Sequence, residues 1–526
     1  MKDDNDLTYK TPEQLDYSRS LDVHKWSDYP EVNSFVNTLW DEFLSTELPA
    51  SIAAGKRPKS SAKRQFKTLL LDIYVAWQED PDLVIGVQLT NGSYKVGSRY
   101  NALHISKKIV EVIHHLERVG IIHMHIGSEA AARSTRIWPS EKLIAIFTES
   151  DIHPLMIGPH EDKEVIVLSA KEPDEAGKIP TKSKEMEYKD DEWSEIPRLR
   201  TEVQKYNKLL RRSFIDIGHL EHPVIKTEYW DRKKKRFVDR AISTGHFNKH
   251  VRRIFYRGSW TLGGRYHGGF WQQISGEERK NILINDFRSV ELDFSGLHIN
   301  IAYALEGHNL DFQDPYELPL LLSNDKQEQR KWVKSLALMA FNAAEEKKAF
   351  QAFRSAQPKG SLGKRFTDNQ LGQLLEAFKT KHASIQQYLC TDRGVEFMNI
   401  DGKIASKVIN HFTDKNEPIL CVHDSFICRE HCKDELTEVM NKAIKDELQD
   451  YQIRIDPNKE IMDLKDRMLN GVFNVTNMRD VYRNRSVDVR RAEGYLLRWN
   501  EHKHWLYMIE NPIYLQYKAY HYPDFY

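Results

Sequence analysis

The sequence predicts a multidomain α/β (α+β) chain, on three observations. Its 526 residues exceed what one ordinary core holds. Segments of helical period, 66–78 and 106–119 among them, alternate with short apolar strands bounded by turn residues. Two of those strands, 289–293 and 418–423, each deliver an aspartate at or just past their end, Asp293 and Asp424.

Composition sets the outer bounds. Hydrophobic residues at 40% and aromatics at 11% are enough for several cores and exclude wholesale disorder. Lys plus Arg (77) balances Asp plus Glu (77), so net charge does not announce a nucleic-acid partner, although a local basic groove fits inside a neutral total. The four cysteines, Cys390, Cys421, Cys428 and Cys432, lack the CxxC spacing of structural zinc and read as reduced thiols. Cys428-Arg-Glu-His-Cys432 keeps a small metal-ligating potential. No apolar run reaches the roughly 20 residues of a membrane span, and the acidic, polar start does not fit a signal peptide. The expected location is cytoplasmic, with no membrane partner.

Taken in order, residues 1–60 form an N-terminal extension with a helix over 31–48 and a loop over 53–58. Residues 61–150 are sharper. Leu69, Leu70, Ile73, Tyr74 and Trp77 recur at helical spacing, and a second helix runs over 106–119, with Ser106 as N-cap and Gly120 as stop. Two short strands, 121–126 and 135–138, then precede a helix starting near Ser140. This order resembles a winged helix-turn-helix of replication initiators and repressors. The resemblance implies that the second helix enters a major groove and the hairpin touches backbone, with Lys107, Lys108, Arg133 and Arg136 as phosphate contacts. A scaffold for protein contacts is the alternative.

Residues 151–195 are crowded with charge and little period, which predicts a solvated linker or insertion. A basic amphipathic helix over 199–217 opens the region 196–255, where a basic turn at 230–237 follows. The last stretch, 471–526, interleaves arginines with aromatics. Such a mixture suits a single-strand platform, and suits better the packing of a C-terminal lobe.

The chemistry sits in 256–470. Four glycines surround Arg265 in the segment 263–269, and glycine lets a backbone approach its partner closely. Thr261-Leu-Gly-Gly-Arg265 stands about thirty residues before Asp293-Phe-Ser-Gly-Leu-His298, and Val422-His-Asp-Ser425 follows an apolar strand. Between the aspartates, Arg330, Lys334, Ala337 and Phe341 step by four, three and four along one helix face. Two cations and an aromatic so spaced offer a hold on phosphates and a surface against a base. A core helix with snorkelling cations is the bland alternative.

Together these motifs resemble the palm of family A DNA polymerases and single-subunit phage-type RNA polymerases. In that family the T/DxxGR arginine approaches the duplex, motif A begins with a metal-binding aspartate, and motif C is His-Asp followed by Glu or Ser. The likeness covers about residues 255–445. It implies a right-hand palm with a small fingers insertion and a helical thumb at 196–255. Arg330 and Lys334 would be the RxxxK of motif B, whose usual Tyr-Gly is replaced near Asn342-Ala343. His298 stands where DNA enzymes place Glu, so an imidazole would meet the sugar.

The resemblance implies a template-directed nucleotidyltransferase without proofreading, in a phage-like or mobile-element setting. Asp293, Asp424 and the Phe294 carbonyl would hold two Mg²⁺ ions, with Mn²⁺ as substitute. Lys334 would be catalytic, while Arg330, Phe341, His298, Arg265, Thr261 and His423 would bind nucleoside triphosphate and primer-template. The rival from another class is a non-enzymatic DNA-binding initiator or regulator that keeps the palm as scaffold.

Overall fold

The computed structural model describes residues 9–44, 62–90, 94–129, 133–171, 183–231, 233–311, 314–457 and 490–511. Its N-terminal unit runs through β1 (Ser18–Ser20), α1 (Pro30–Phe43), α2 (Ala62–Glu79), β2 (Val84–Val87), α3 (Lys108–Arg118), β3 (Ile122–His125), β4 (Thr135–Pro139) and α4 (Glu141–Glu149). One four-stranded sheet, ordered β1-β2-β4-β3, carries the helices. Leu69, Leu70 and Ile73 of α2 pack with Ile109, Val112, Ile113 and Leu116 of α3, all at most 1% exposed, so the apolar spacing became a shared core. The strand β2 lies between the two helices and pairs with β4, an element the expected helix-helix-hairpin order lacks.

Two of the phosphate contacts expected here are corrected. Arg133 Nε donates to Asp16 Oδ1 at 2.8 Å, and Arg136 is buried, donating to the Leu15 carbonyl at 2.9 Å. Both guanidiniums are spent on structure, Arg133 as counter-charge to the buried Asp16 carboxylate and Arg136 on the Leu15 carbonyl and Ser134. Lys107 is exposed and Lys108 is half-buried at the start of α3.

The chain continues through β5 (Ile166–Ala170), α5 (Ile196–Arg212), β6 (Ile215–Ile217), β7 (Val224–Asp231), β8 (Arg236–Ser243), β9 (Val251–Tyr256) and β10 (Gly263–Gly268). Strand β5 corrects the linker expected over 151–195. Val165, Ile166, Val167 and Leu168 are buried, and β5 pairs parallel with β9, which pairs antiparallel with β10. The surrounding charge is organised too, since Arg99 and Arg200 both grip Glu164 and Asp190. The expected helical region 196–255 is helical only to Arg212, after which β7 and β8 form an eight-residue antiparallel hairpin rich in β-branched residues. Nor is α5 a separate lobe: Tyr206 is fully buried and donates to the Ile419 carbonyl at 2.5 Å.

The central part holds β11 (Ile282–Ile284), β12 (Phe287–Phe294), α6 (Leu297–Leu305), α7 (Lys326–Asn342), α8 (Glu346–Ala356), α9 (Asp368–Lys381), α10 (Gly394–Asp414), β13 (Leu420–Val422), β14 (Ser425–Arg429), α11 (Lys433–Glu447) and β15 (Ile455–Pro457). Its sheet is ordered β13-β14-β12-β11-β6, and β15 adds to the end of β12. A last helix, α12 (Glu493–Glu510), docks Tyr495 on Phe214 at 5.3 Å and pairs Arg498 with Asp216 at 2.7 Å. Its Trp505 donates to the Tyr29 hydroxyl of the N-terminal unit at 3.1 Å. Trp499 packs on Phe214 at 5.0 Å, Arg491 pairs with Asp286 at 2.7 Å and Tyr507 is exposed, while the aromatics and arginines of 471–489 and 512–526 lie outside the described residues. No helix among the described residues is long and apolar enough to cross a membrane.

Candidate active site

Strand β12 alternates. Val290, Leu292 and Phe294 are buried, so Glu291 and Asp293 occupy the opposite face. Asp293 stands directly across from Ser425 on β14 and from Asp456 on β15, and directly opposed residues share a face. Glu291, Asp293, Ser425 and Asp456 therefore line one surface.

Asp424 joins them through a turn. His423 and Asp424 form the two-residue connection between β13 and β14, and His423 takes φ 58°, the left-handed sign that tight hairpins require. The Phe294 amide donates to the Asp424 carbonyl at 3.2 Å, which fixes the turn against the end of β12. Among the described residues, neither the Asp293 nor the Asp424 side chain has a hydrogen-bond donor, and neither has a cation within 4.0 Å. Solvent reaches Asp293, yet protein walls most of its surroundings. Burial first, then the charge of Asp424, raise its pKa well above the usual carboxylate range, while Lys334 pulls the other way. The neighbouring carboxylates are neutralised. Arg279 holds Glu291 at 2.9 Å, Ser425 donates to Glu291 at 2.7 Å, and Arg454 holds Asp456 at 2.7 Å.

Arg265 reaches the site from β10. Gly264 has φ 84°, and a Cβ on Gly402 of α10 would lie 2.4 Å from the Gly264 carbonyl oxygen, so the helix packs directly on the strand. That contact brings buried Asp401 against Arg265 as an ion pair. Burial raises the Asp401 pKa to about 6, against the pull of Arg265. On its other side the Arg265 Nη2 is 2.9 Å from His298 Nε2. A guanidinium only donates, so His298 accepts there and carries its proton on Nδ1 as a neutral ring. Burial and Arg265 hold its pKa down to about 3. The ring is walled edge-on by Phe397 at 5.8 Å and Phe341 at 6.4 Å, which encloses the imidazole expected to meet the sugar.

The remaining expected residues are spread around this centre. His423 meets His267 edge-on at 5.6 Å, and burial lowers its pKa. Thr261 is exposed at the turn before β10, 3.0 Å from the Ser259 hydroxyl. Lys334 is exposed 5.8 Å from the Tyr316 ring, and Arg330 lies 5.6 Å from the same ring while paired with Asp314. Phe341 is a correction: at 1% exposure its ring is core, packed on Phe397 at 5.5 Å, and presents no surface to a base.

Sequence reasoning missed Asp456, Asp401 and Tyr316. Asp456 had a usable signal, being a third aspartate in a short apolar segment, 451–457. Asp401 stands alone on the apolar face of a helix, a pattern that asks for a cation. Away from the site, Glu417, His431 and Cys432 gather ligand atoms within 4.8 Å of one another, but Arg429 already occupies Glu417.

No family model matches the chain, and no curated protein matches it. One solved structure to which it is similar is the POL domain of Pol1 from M. smegmatis in complex with DNA primer-template and dNTP. The two align at 12% identity over 40% of this chain and 47% of that one, with a TM-score of 0.28. The chain thus matches less than half the length of that domain.

Proposed function

We propose that the chain is a metal-dependent, template-directed nucleotidyltransferase, a DNA- or RNA-synthesising polymerase that acts on DNA without proofreading. The observation that carries this reading is the pair Asp293 and Asp424, one at the end of β12 and one in the turn fixed against it, without a cation within 4.0 Å among the described residues while the carboxylates around them are neutralised. Two uncompensated carboxylates are hard oxygen donors that fit divalent cations, Mg²⁺ above all and Mn²⁺ in its place. Asp293, Asp424 and the Phe294 carbonyl would hold two such ions. When bound, they supply acidity to a primer 3′-hydroxyl and neutralise charge on the departing pyrophosphate.

The chain's own residues do the positioning. Lys334, exposed on α7, binds the triphosphate and stabilises the charge that develops on it. Arg330 shares this role when it exchanges Asp314 for phosphate. Arg265, locked between Asp401 and His298, presents its remaining donors near the duplex, and His298 acts through Arg265. Thr261 and His423 contact the primer-template. In the N-terminal unit, Lys107 and Lys108 remain the phosphate contacts.

Two observations favour a non-enzymatic DNA-binding initiator or regulator. Phe341 is core and Arg330 is paired, which leaves α7 less equipped for a nucleotide than its spacing promised. Extension of a primed template with Mg²⁺, using dNTPs and NTPs separately, decides between the readings. Incorporation that disappears in Asp424→Ala supports the enzyme, incorporation that survives it removes the site, and none with either nucleotide favours the binder.

A further inference from the structure

We propose that the chain carries a second ligand site, an anion pocket for an oligophosphate, in the cavity between the N-terminal unit and α5. This proposal is independent of the reading of Asp293 and Asp424. The cavity holds about 360 Å³ and is closed by Lys25 and Val75 on one side, α5 on the other, and the segments 157–165 and 246–250 between them. That size suits a small molecule rather than a duplex.

The wall is cationic beyond its own needs. Lys163, Lys208, Arg211 and Lys249 all line it, and among the described residues none has a carboxylate within 4.0 Å. Half-buried guanidiniums elsewhere are treated differently: Arg19, Arg99 and Arg200 pair with carboxylates at 2.8–3.2 Å. Lys249 is 5% exposed and donates to the carbonyls of Ser213 at 2.7 Å and Arg211 at 3.3 Å, which leaves one donor over. Arg211 has one long contact, 3.5 Å to the Leu155 carbonyl. Its guanidinium lies in a slot at Gly158, where a Cβ would stand 2.0 Å from Nη1.

Two imidazoles add unfilled polar atoms. His246 donates Nε2 to the Ile157 carbonyl at 3.1 Å, so its buried Nδ1 is an acceptor with nothing to offer an anion, whereas the buried Nε2 of His250, also without a hydrogen-bond partner, is placed to donate. The nearby acids do not balance this wall. Glu161 and Asp162 are exposed at the rim, Asp22 lies 3.7 Å from Lys25 and also faces Lys163, and Asp216 and Asp28 face Lys249 and Arg211 from beyond ion-pair distance. Several cations in one concave wall with no carboxylate in contact are costly to bury and are relieved by an anion. Phosphate groups supply it, with Arg211 as a forked donor and the lysines as point charges.

The test uses the full chain in EDTA, so that no divalent ion bridges a ligand to Asp293 and Asp424. Pyrophosphate and ATP are titrated calorimetrically, and a single-stranded oligonucleotide is offered as competitor. Pyrophosphate and ATP are expected to bind, and Lys163→Met with Lys208→Met to weaken them about tenfold or more. Lys208 is exposed, so Lys208→Met alone keeps the fold and should show part of the loss. Unchanged affinity in the double variant, absence of binding to both small probes, or binding of the oligonucleotide alone would each overturn the proposal.

Discussion

Asp16 and Asp293 are both carboxylates set among protein, and the chain treats them oppositely. Asp16, with a side chain 1% exposed, receives Arg133, Lys234 and Arg236. Asp293 receives no cation within 4.0 Å among the described residues, and Asp424 beside it adds like charge. A fully neutralised carboxylate is committed to holding elements together, here the helix Pro12–Asp16, the turn before β4 and the β7–β8 hairpin. An unneutralised one is a cost the fold carries for something that arrives from outside.

Substituting the two aspartates should break the molecule in different ways. Asp293→Asn is expected to lower primer extension by about 10³-fold or more, since several kcal/mol of transition-state stabilisation pass through that carboxylate. The same change should leave thermal unfolding unshifted or raise it, because it removes repulsion. Asp16→Ala should do the reverse, destabilising by about 3–5 kcal/mol through three stranded cations, read as an earlier urea transition. If Asp293→Asn unfolded the chain, the contrast would fail.

A buried imidazole sharpens the same contrast through pH. His382 is fully buried, 2.8 Å from the Pro315 carbonyl and 3.0 Å from the Tyr303 hydroxyl, and burial lowers its pKa to about 4. The unfolded chain binds that proton near pH 6.5, so the native state binds fewer protons between about 6.5 and 4. Stability is therefore full above 6.5 and falls as pH drops through that window, by on the order of 3 kcal/mol from this group. Denaturation at stepped pH should show His382→Gln with a shallower acid slope than wild type.

The smallest effect is steric. Gly402→Ala places a methyl 2.4 Å from the Gly264 oxygen, which should cost about 1–3 kcal/mol and loosen Asp401 from Arg265. A melting shift with extension reduced in parallel would show that the α10–β10 contact positions Arg265. A variant as stable and active as wild type would remove that role.

The two aspartates were legible because a strand-end carboxylate after an apolar run is a local pattern, as were the helices that became α2 and α3. What escaped depended on distant partners. The capture of Arg133 by Asp16 spans 117 positions, and the burial of Phe341 depends on Phe397 from another helix. Strand β5 was hidden because a five-residue apolar run is short against the charges flanking it. Asp456 enters the site only through the register of β15 on β12, which no local period reports.

The docking of α12 has a consequence in time. Arg498 closes on Asp216 across 282 positions, and Trp505 reaches Tyr29 across 476. Contacts of such separation form only after loop closure across nearly the whole chain. During synthesis, Phe214 and Leu283 therefore stay uncovered until α12 emerges, and the nascent protein exposes an apolar patch that this late helix seals.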